Sequence, residues 1–285
     1  MTQPLIARMK RDISLPDYLV VTFREHKRMA RAIRKRPSQG GPRERRRVPH
    51  LCIAILGNAW RRMIETRRCL VCARPVLKTQ CADGLCPECD LELQPRKGGF
   101  CPRCGQLYAQ SEAEPYLCAK CRRQDPGWDG FGFLGSYSGM LRDLILDFKF
   151  HACFERRNIL RSLLLRAHAF HFQGLCSDGI IPVPLHVGRL RERGFNQSLE
   201  IARGLSRELS VPLLPSALVR IRPTKAQSGL ERKERLKNVR GAFQADQECI
   251  WGKHVLLVDD VSTTGATLSA CARTLRRAGA VQVDA

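Results

Sequence analysis

The sequence predicts an α/β fold with a parallel sheet, preceded by a small cysteine-rich module. Three observations carry that reading. From residue 139 onward, apolar residues at helical spacing alternate with short apolar runs of strand length. One run, VLLV at 255–258, is apolar without interruption, as expected of a strand covered by helices on both faces of a parallel sheet. Ahead of this region, eight of the chain's 14 cysteines form four C-x-x-C pairs.

The 285 residues, 44% of them hydrophobic, suffice for at least one full-sized core. No stretch approaches the ~20 consecutive apolar residues of a membrane span. The start, MTQPLIARMKRDISLPD, lacks the apolar core and cleavage site of a secretory signal, so a cytoplasmic location is expected. The formal net charge of +22 is concentrated at one end, where residues 1–68 hold 18 Lys/Arg against 5 Asp/Glu. Dense arginine mixed with Pro, Gly and Ser, as in RMARAIRKRPSQGGPRERRR (28–47), does not repay the entropy of ordering. Residues 1–66 therefore read as a basic, mostly disordered extension with a short helix around 52–64. The extension is either an arm that binds nucleic acid through counterion release or a dispensable addition, and its weak periodicity favours the second.

The cysteine pairs are Cys69/Cys72, Cys86/Cys89, Cys101/Cys104 and Cys118/Cys121, and the last four repeat the first four 32 residues on. Each half, CLVC-x13-CPEC and CPRC-x13-CAKC, has the spacing at which two tight turns present four thiolates to a tetrahedral ion. In a chain without a secretion signal this register points to two structural zinc ions rather than to disulfides or a redox pair. Residues 67–125 are thus expected to be a double zinc ribbon in which metal substitutes for a core. Sequential pairing of the turns is preferred over a cross-braced one. Cys81 is a spare inside the first ribbon, while Cys52, Cys153, Cys176, Cys249 and Cys271 sit singly among apolar neighbours and read as buried thiols.

Residues 126–285 make up the α/β domain, which opens on a decoy. GFGFLG (130–135) fits the dinucleotide fingerprint G-x-G-x-x-G, but it lacks the preceding strand and the helix opening at its last glycine. DGFGFLGSYSG instead alternates aromatic and small residues as a strand does. Helices follow at 139–150 and 156–172, a strand at 178–185 and an amphipathic helix at 195–209. Next come a buried strand at 253–261, a helix at 267–280 ending at Gly279, and the start of another strand in VQVDA. Sheets of this kind bind ligands at the carboxyl ends of their strands, and Asp259 and Asp260 stand at one such end.

After those acids, Ser262, Thr263, Thr264, Gly265, Ala266 and Thr267 form a tight loop entering a helix, where unpaired N–H groups and the helix dipole hold a phosphate. The acids repel phosphate, so they need sugar hydroxyls, a divalent cation, or both. A ribose 5-phosphate with bound magnesium satisfies both halves. A Walker-type nucleotide site is excluded by the missing G-K-[ST].

VLLVDDVSTTGATL (255–268) closely resembles the phosphoribosyl pyrophosphate (PRPP) signature of type I phosphoribosyltransferases. The paired ribbons, LDFKFH (146–151), PVPLHVGRLRERGFNQS (182–198) and RPTKAQSGLERKERLKNVRGAF (222–243) complete an arrangement that resembles the ComF/GntX family over about 67–285. The resemblance implies a type I phosphoribosyltransferase-like domain with PRPP and Mg2+ as ligands. It places Asp259 and Asp260 on the ribose hydroxyls and Ser262, Thr263, Thr264, Gly265, Ala266 and Thr267 around the 5′-phosphate. It sets PVPLHVGR at the pyrophosphate loop, with Pro184 and Arg189 at the leaving group and Arg193, Asn196 and Gln197 in support. Residues 224–235 resemble the mobile flap of these transferases, with Arg220, Lys225, Gln227 and Arg232 as closing contacts; the alternative is a solvated charged helix. Asp259, Asp260, Arg189, Lys225 and Arg232 are the candidate catalytic residues.

Displacing pyrophosphate at C1 develops positive charge on the ribose and negative charge on the leaving group, which cations and magnesium stabilise. A closed flap excludes water. Type I enzymes acting on 6-oxopurines usually carry an aspartate where this chain has Thr263, which argues against hypoxanthine or guanine as acceptor. The motif is closer to those of orotate transferases and the glutamine-dependent amidotransferase, although no glutaminase domain or N-terminal catalytic cysteine is present. The chain stops at VQVDA, short of where relatives usually finish, so a clipped last strand is expected. Two functions follow. One is transfer of phosphoribose to an acceptor that the sequence does not identify. The other is a non-catalytic or PRPP-sensing DNA-binding protein of competence or repair, in which the phosphoribosyltransferase fold serves as scaffold or sensor and the ribbons grip single-stranded DNA through Arg74, Lys78, Arg96, Lys97, Arg103, Lys120, Arg122 and Arg123 with Phe100 and Tyr108. Oligomeric state stays open.

Overall fold

A computed structural model describes residues 65–150, 154–223 and 232–285, all within one compact unit spanning Gly57–Ala285. The basic extension up to residue 64, its short helix, and residues 151–153 and 224–231 lie outside the described residues. In chain order the ribbon region holds β1 (Thr66–Arg68), β2 (Pro75–Leu77), α1 (Pro87–Glu92) and α2 (Ala119–Arg123). The α/β domain continues with α3 (Gly139–Phe150), α4 (Phe154–His171), β3 (Gly179–Pro182), α5 (Val187–Arg193), α6 (Gln197–Leu209) and β4 (Leu218–Arg220). It ends with α7 (Arg232–Val239), β5 (Phe243–Ala245), α8 (Gln247–Ile250), β6 (His254–Val258), α9 (Ala266–Arg277) and β7 (Gln282–Asp284).

β6 is the centre of the sheet and pairs in parallel with β3 on one side and β7 on the other, in register from Gly179↔Val255 to Pro182↔Val258 and from His254↔Gln282 to Leu256↔Asp284. Side-chain alternation then divides its apolar run between two layers. Val255 and Leu257 join Leu268, Cys271 and Leu275 of α9, whereas Leu256 and Val258 join Ile201 and Leu205 of α6 and Ile159 and Leu163 of α4. None of the four β6 residues is more than 4% exposed, as the unbroken apolar run predicts. The ladder continues past the named strands: Ile180 bridges Leu213 beyond β3. On the other side 129–132 lies along β7, where the N–H groups of Asp129 and Gly132 donate to the carbonyls of Val283 and Ala285 at 2.8 Å each. GFGFLG thus begins as an extended edge without forming a named strand. Its first glycine is needed for close packing, because a Cβ at Gly130 would stand 2.7 Å from the Asp284 carboxylate that takes the Gly130 N–H.

Boundaries differ from the sequence reading where caps decide them. α6 starts at Gln197 because Asn196 Oδ1 accepts from Ser198 N–H at 3.1 Å, and it ends at Ser210, which adopts φ +55°. β3 ends at Pro182, although Val183 N–H still donates to Val258 O at 2.9 Å. Within the α/β domain four elements were not read from the sequence: the paired strands β4 and β5, short α8, and α5, which occupies the turn expected over PVPLHVGR and is capped by His186 Nδ1 accepting from Gly188 N–H at 3.2 Å.

Both ribbons are docked on the domain. Arg166 of α4 reaches Asp83 and Asp90 of the first ribbon at 2.7 and 2.5 Å. Trp128 donates its indole N–H to Arg103 O of the second at 2.7 Å, and Phe100 packs edge-on to Phe133 at 5.1 Å. α4 and α6 are pinned by Glu200, 8% exposed, which pairs with Arg157 at 3.2 Å, Arg161 at 3.6 Å and Arg203 of its own helix.

Removing one acid there leaves mutually repelling arginines partly buried. Glu200→Gln is expected to lower the free energy of unfolding by about 3 kcal/mol, the lower end for breaking a buried pair because Arg157 and Arg203 stay partly solvated. Urea denaturation of the two proteins measures the difference.

Candidate functional site

Thiolate chemistry is gathered at two points. Cys69, Cys72, Cys86 and Cys89 form one cluster and Cys101, Cys104, Cys118 and Cys121 the other, with the sulfurs of each all within 4.8 Å of one another. The turns therefore pair in sequence order, as expected, and Cys81 stays outside. Each cluster is built alike. Cys86 N–H donates to Cys69 Sγ at 3.3 Å and Cys89 N–H to Cys86 Sγ at 3.5 Å. In the second ribbon Cys118 N–H donates to Cys101 Sγ and Cys121 N–H to Cys118 Sγ, both at 3.4 Å. Such bonds favour thiolate over thiol. Burial opposes ionisation of Cys69, but the backbone N–H groups of Cys72, Cys86 and Val71 outweigh it and bring the pKa down to about 6; Cys101 comes down to about 7 in the same way. Burial and neighbouring sulfurs push Cys89 and Cys121 upward. Four thiols this close ionise together only around a cation, and an all-sulfur tetrahedral donor set fits Zn2+.

The second concentration of chemistry lies at the carboxyl end of β6. Asp259 Oδ1 accepts from Ser198 Oγ and from Asp260 N–H, each at 3.0 Å, which ties the acidic pair to the first turn of α6. Asp260 Oδ2 lies 2.9 Å from Lys149 Nζ at the end of α3, and both side chains are only 15% exposed. Burial, followed by the charge of Asp260, pushes Asp259 up to about 7. Neither Ser198 nor Lys149 was assigned a role from sequence. Ser198 sits inside GFNQS and Lys149 inside LDFKFH, and nothing local marks either as facing the acids.

In the loop beyond, Ser262 and Thr263 are exposed, and Thr264 and Thr267 are half-buried. Gly265 adopts φ +71° beneath Trp128, where a Cβ would meet the indole at 3.0 Å. It turns the chain into α9, whose first residue, Ala266, is buried at 3% and sends its N–H toward Thr264 Oγ1 at 3.4 Å. Pro184 follows β3 on the neighbouring strand end, with Asn196 Nδ2 donating to Val183 O at 3.0 Å and Arg193 Nη1 to Gln197 Oε1 at 2.9 Å. Arg189 is exposed on α5 and pairs with Glu192 at 3.3 Å. Burial lowers the proton affinity of Arg193 and Arg220; Arg189 lowers it further at each, while Asp260 supports the charge of Arg193 and Asp259 that of Arg220. Arg193 and Arg220 thus share the field of the acidic pair, and Arg189 acts on both of them. Lys225 and Gln227 lie outside the described residues, and Arg232 opens α7. Beside the loop is a cavity of about 730 Å3, lined by Asp259, Asp260, Phe131, Phe133 and Tyr137 among others.

The ribbon surface differs from expectation in its aromatics. Phe100 is 5% exposed and belongs to the interior, so it offers no stacking face. Tyr108 instead stacks on Tyr116 at 4.2 Å and 12°, and Tyr116 is 49% exposed. Arg74, Arg103 and Arg122 are engaged by Glu88, Asp125 and Leu117 O respectively, and Arg96 by the carbonyls of Gly98, Gly99 and Tyr108. Among the described residues no helix is long and apolar enough to cross a membrane.

Residues 196–285 match the model of the phosphoribosyl transferase domain. The chain is similar to "Competence protein F" of Haemophilus influenzae, 34% identical over 210 residues, covering 71% of this chain and 88% of that protein. "DNA utilization protein YhgH" of Escherichia coli K12 is 34% identical over 204 residues, covering 70% and 88%. "Competence protein ComFC" of Bacillus subtilis is 28% identical over 210 residues, covering 68% and 79%.

Two outcomes are expected from this geometry. Chelation should release two Zn2+ per chain and shift the fluorescence of Trp128, whose indole is anchored on the second ribbon; release without any spectral change would detach the ribbon fold from the metal. The second concerns Asp259, which binds a proton more tightly in the fold, about 7 against 3.8, so its contribution is present at low pH and is lost as pH rises from about 4 through 7. Asp259→Asn keeps the acceptor for Ser198 and removes the charge. It is expected to be more stable than the parent by about 1–3 kcal/mol at pH 8 and equal to it near pH 4, as read from urea midpoints.

Proposed function

The chain belongs to the ComF family, and from that premise we propose that it binds PRPP and transfers its phosphoribosyl group to an acceptor with release of pyrophosphate. The observation that carries the reading is the adjacency at the end of β6 of a carboxylate pair and an open loop entering α9. One half suits ribose hydroxyls and the other a 5′-phosphate.

The division of labour follows from the residue types. Asp259 and Asp260 accept from the ribose hydroxyls and fix the ring. The backbone of 262–267 and the hydroxyls of Ser262, Thr263, Thr264 and Thr267 receive the 5′-phosphate at the N-terminus of α9. The loop at Pro184 and the arginines Arg189, Arg193 and Arg220 oppose the charge of the departing pyrophosphate, and Lys225 and Arg232 are assigned to closing the flap. In the reaction the bond from ribose C1 to the pyrophosphate oxygen breaks, pyrophosphate leaves with the electron pair, and the acceptor atom bonds to C1 as it gives up its proton. Mg2+ bound with PRPP would supply further charge neutralisation on the leaving group. Zn2+ in the two cysteine clusters would hold the ribbons folded and take no part in the chemistry. Thr263 offers no carboxylate to a base, which supports an acceptor other than a 6-oxopurine.

A second reading, a DNA-handling role in uptake or repair, is supported by the names of the relatives and by the Tyr108–Tyr116 stack, which is followed in the chain by Lys120, Arg122 and Arg123. In that reading the phosphoribosyltransferase fold senses PRPP or serves only as a scaffold, and single-stranded DNA stacks on the exposed ring.

Titration calorimetry of Mg2+-PRPP into the full chain separates these readings from a vestigial loop. Binding is expected in the parent and at least tenfold weaker in the Asp259→Asn/Asp260→Asn variant, a difference of about 1.4 kcal/mol or more. Absence of binding in the parent defeats the first reading. Pyrophosphate release with an acceptor, dependent on the same two residues, decides for turnover.

A further inference from the structure

The last turn of α3 reaches the acidic pair from outside either substrate loop, and three consecutive side chains each take a different neighbour. Phe148, 1% exposed, packs on Phe195 with ring centroids 5.2 Å apart. Lys149 places Nζ 2.9 Å from Asp260 Oδ2. Phe150 lies under the Arg193 guanidinium at 5.4 Å. Arg193 donates to Gln197, and the next residue, Ser198, donates to Asp259. One helical turn therefore contacts the acidic pair directly and the pyrophosphate loop through Arg193.

Lys149 is not placed as a surface lysine. A solvated lysine gains little from an ion pair and spends side-chain entropy on it, whereas this one is held at 15% exposure against a carboxylate of the same exposure. Adjacent carboxylates repel each other, and Asp259 already takes two donors on one oxygen. An unopposed Asp260 would turn toward solvent. The ammonium engages Oδ2 and leaves Oδ1 as an acceptor, so the pair is preset for two neighbouring donors. We infer that Lys149 is a positioning residue for the ribose end of the ligand, acting through Asp260. The inference rests on the ribose-phosphate reading of the site.

The test uses two fragments of the ligand as probes on the full chain, ribose 5-phosphate and Mg2+-pyrophosphate, measured by calorimetry. Lys149→Met is expected to weaken ribose 5-phosphate about tenfold while changing Mg2+-pyrophosphate less than about twofold, with partial recovery in Lys149→Arg. Unchanged ribose 5-phosphate affinity overturns the inference. An equal loss of both probes also overturns it, because the lysine then serves the leaving group or the fold as a whole. Thermal melts accompany each variant, and Lys149→Gln carries the same comparison if Lys149→Met does not fold. If the parent binds Mg2+-PRPP but loses nothing at Lys149, only the positioning role fails; if the parent binds neither PRPP nor ribose 5-phosphate, the site reading fails and this inference with it.

Discussion

β6 has no solvent face. With Val255 and Leu257 under α9 and Leu256 and Val258 under α4 and α6, its polar backbone is satisfied by parallel neighbours and its side chains by helices on both sides. Polar function can then appear only where the strand ends. At that end the chain sets two aspartates and a glycine turn, and the neighbouring strand delivers the Asn196 turn to the same place. The candidate site is a consequence of how the sheet is covered, since loops from two adjacent parallel strands converge there with two helix N-termini.

The ribbons depend on a different constraint and are not separate from the first. Cys69, Cys86, Cys89 and Leu93 lie in the same apolar cluster as Leu163, Ile180 and Leu256. The cysteine cluster of the first ribbon is therefore continuous with one layer of the α/β core, and Arg166 reinforces the joint by binding both Asp83 and Asp90. The second ribbon is joined through Trp128, which also covers Gly265. One indole consequently touches the second ribbon and Gly265, so the ribbon fold bears on the geometry of the loop entering α9.

The features legible in the sequence are those written locally. The cysteine register announced both clusters because knuckle geometry needs only a few residues, while their sequential pairing, preferred from the spacing, is decided by the structure. α3 was found with its ends because Gly139 opens a single unbroken apolar periodicity, and β6 because four apolar residues end at two acids. What escaped is set by distance along the chain. VGRLRER has too few apolar residues to announce α5, which His186 caps instead. The β4–β5 hairpin joins two three-residue strands on either side of a long charged segment. Lys149 and Ser198 meet the acids only after α3 and α6 have packed, and Phe100 was read as surface because its partners, Phe133 and His171, come from the connector and α4.

The acidic pair is where fold and ligand make opposing demands. Packing a strand to its last apolar residue places Asp259 in a poorly solvated position beside a second carboxylate, and the protein answers with Ser198, one backbone N–H and Lys149. These donors orient the pair without saturating it, because two carboxylates carry about eight lone-pair sites. In the proposed reading a ligand with adjacent hydroxyls would meet that remaining demand, and its phosphate the opposite demand of the amides at the start of α9. A sheet end with both polarities side by side suits a ligand that carries both hydroxyls and a phosphate, which is the physical ground of the proposed phosphorylated-sugar site.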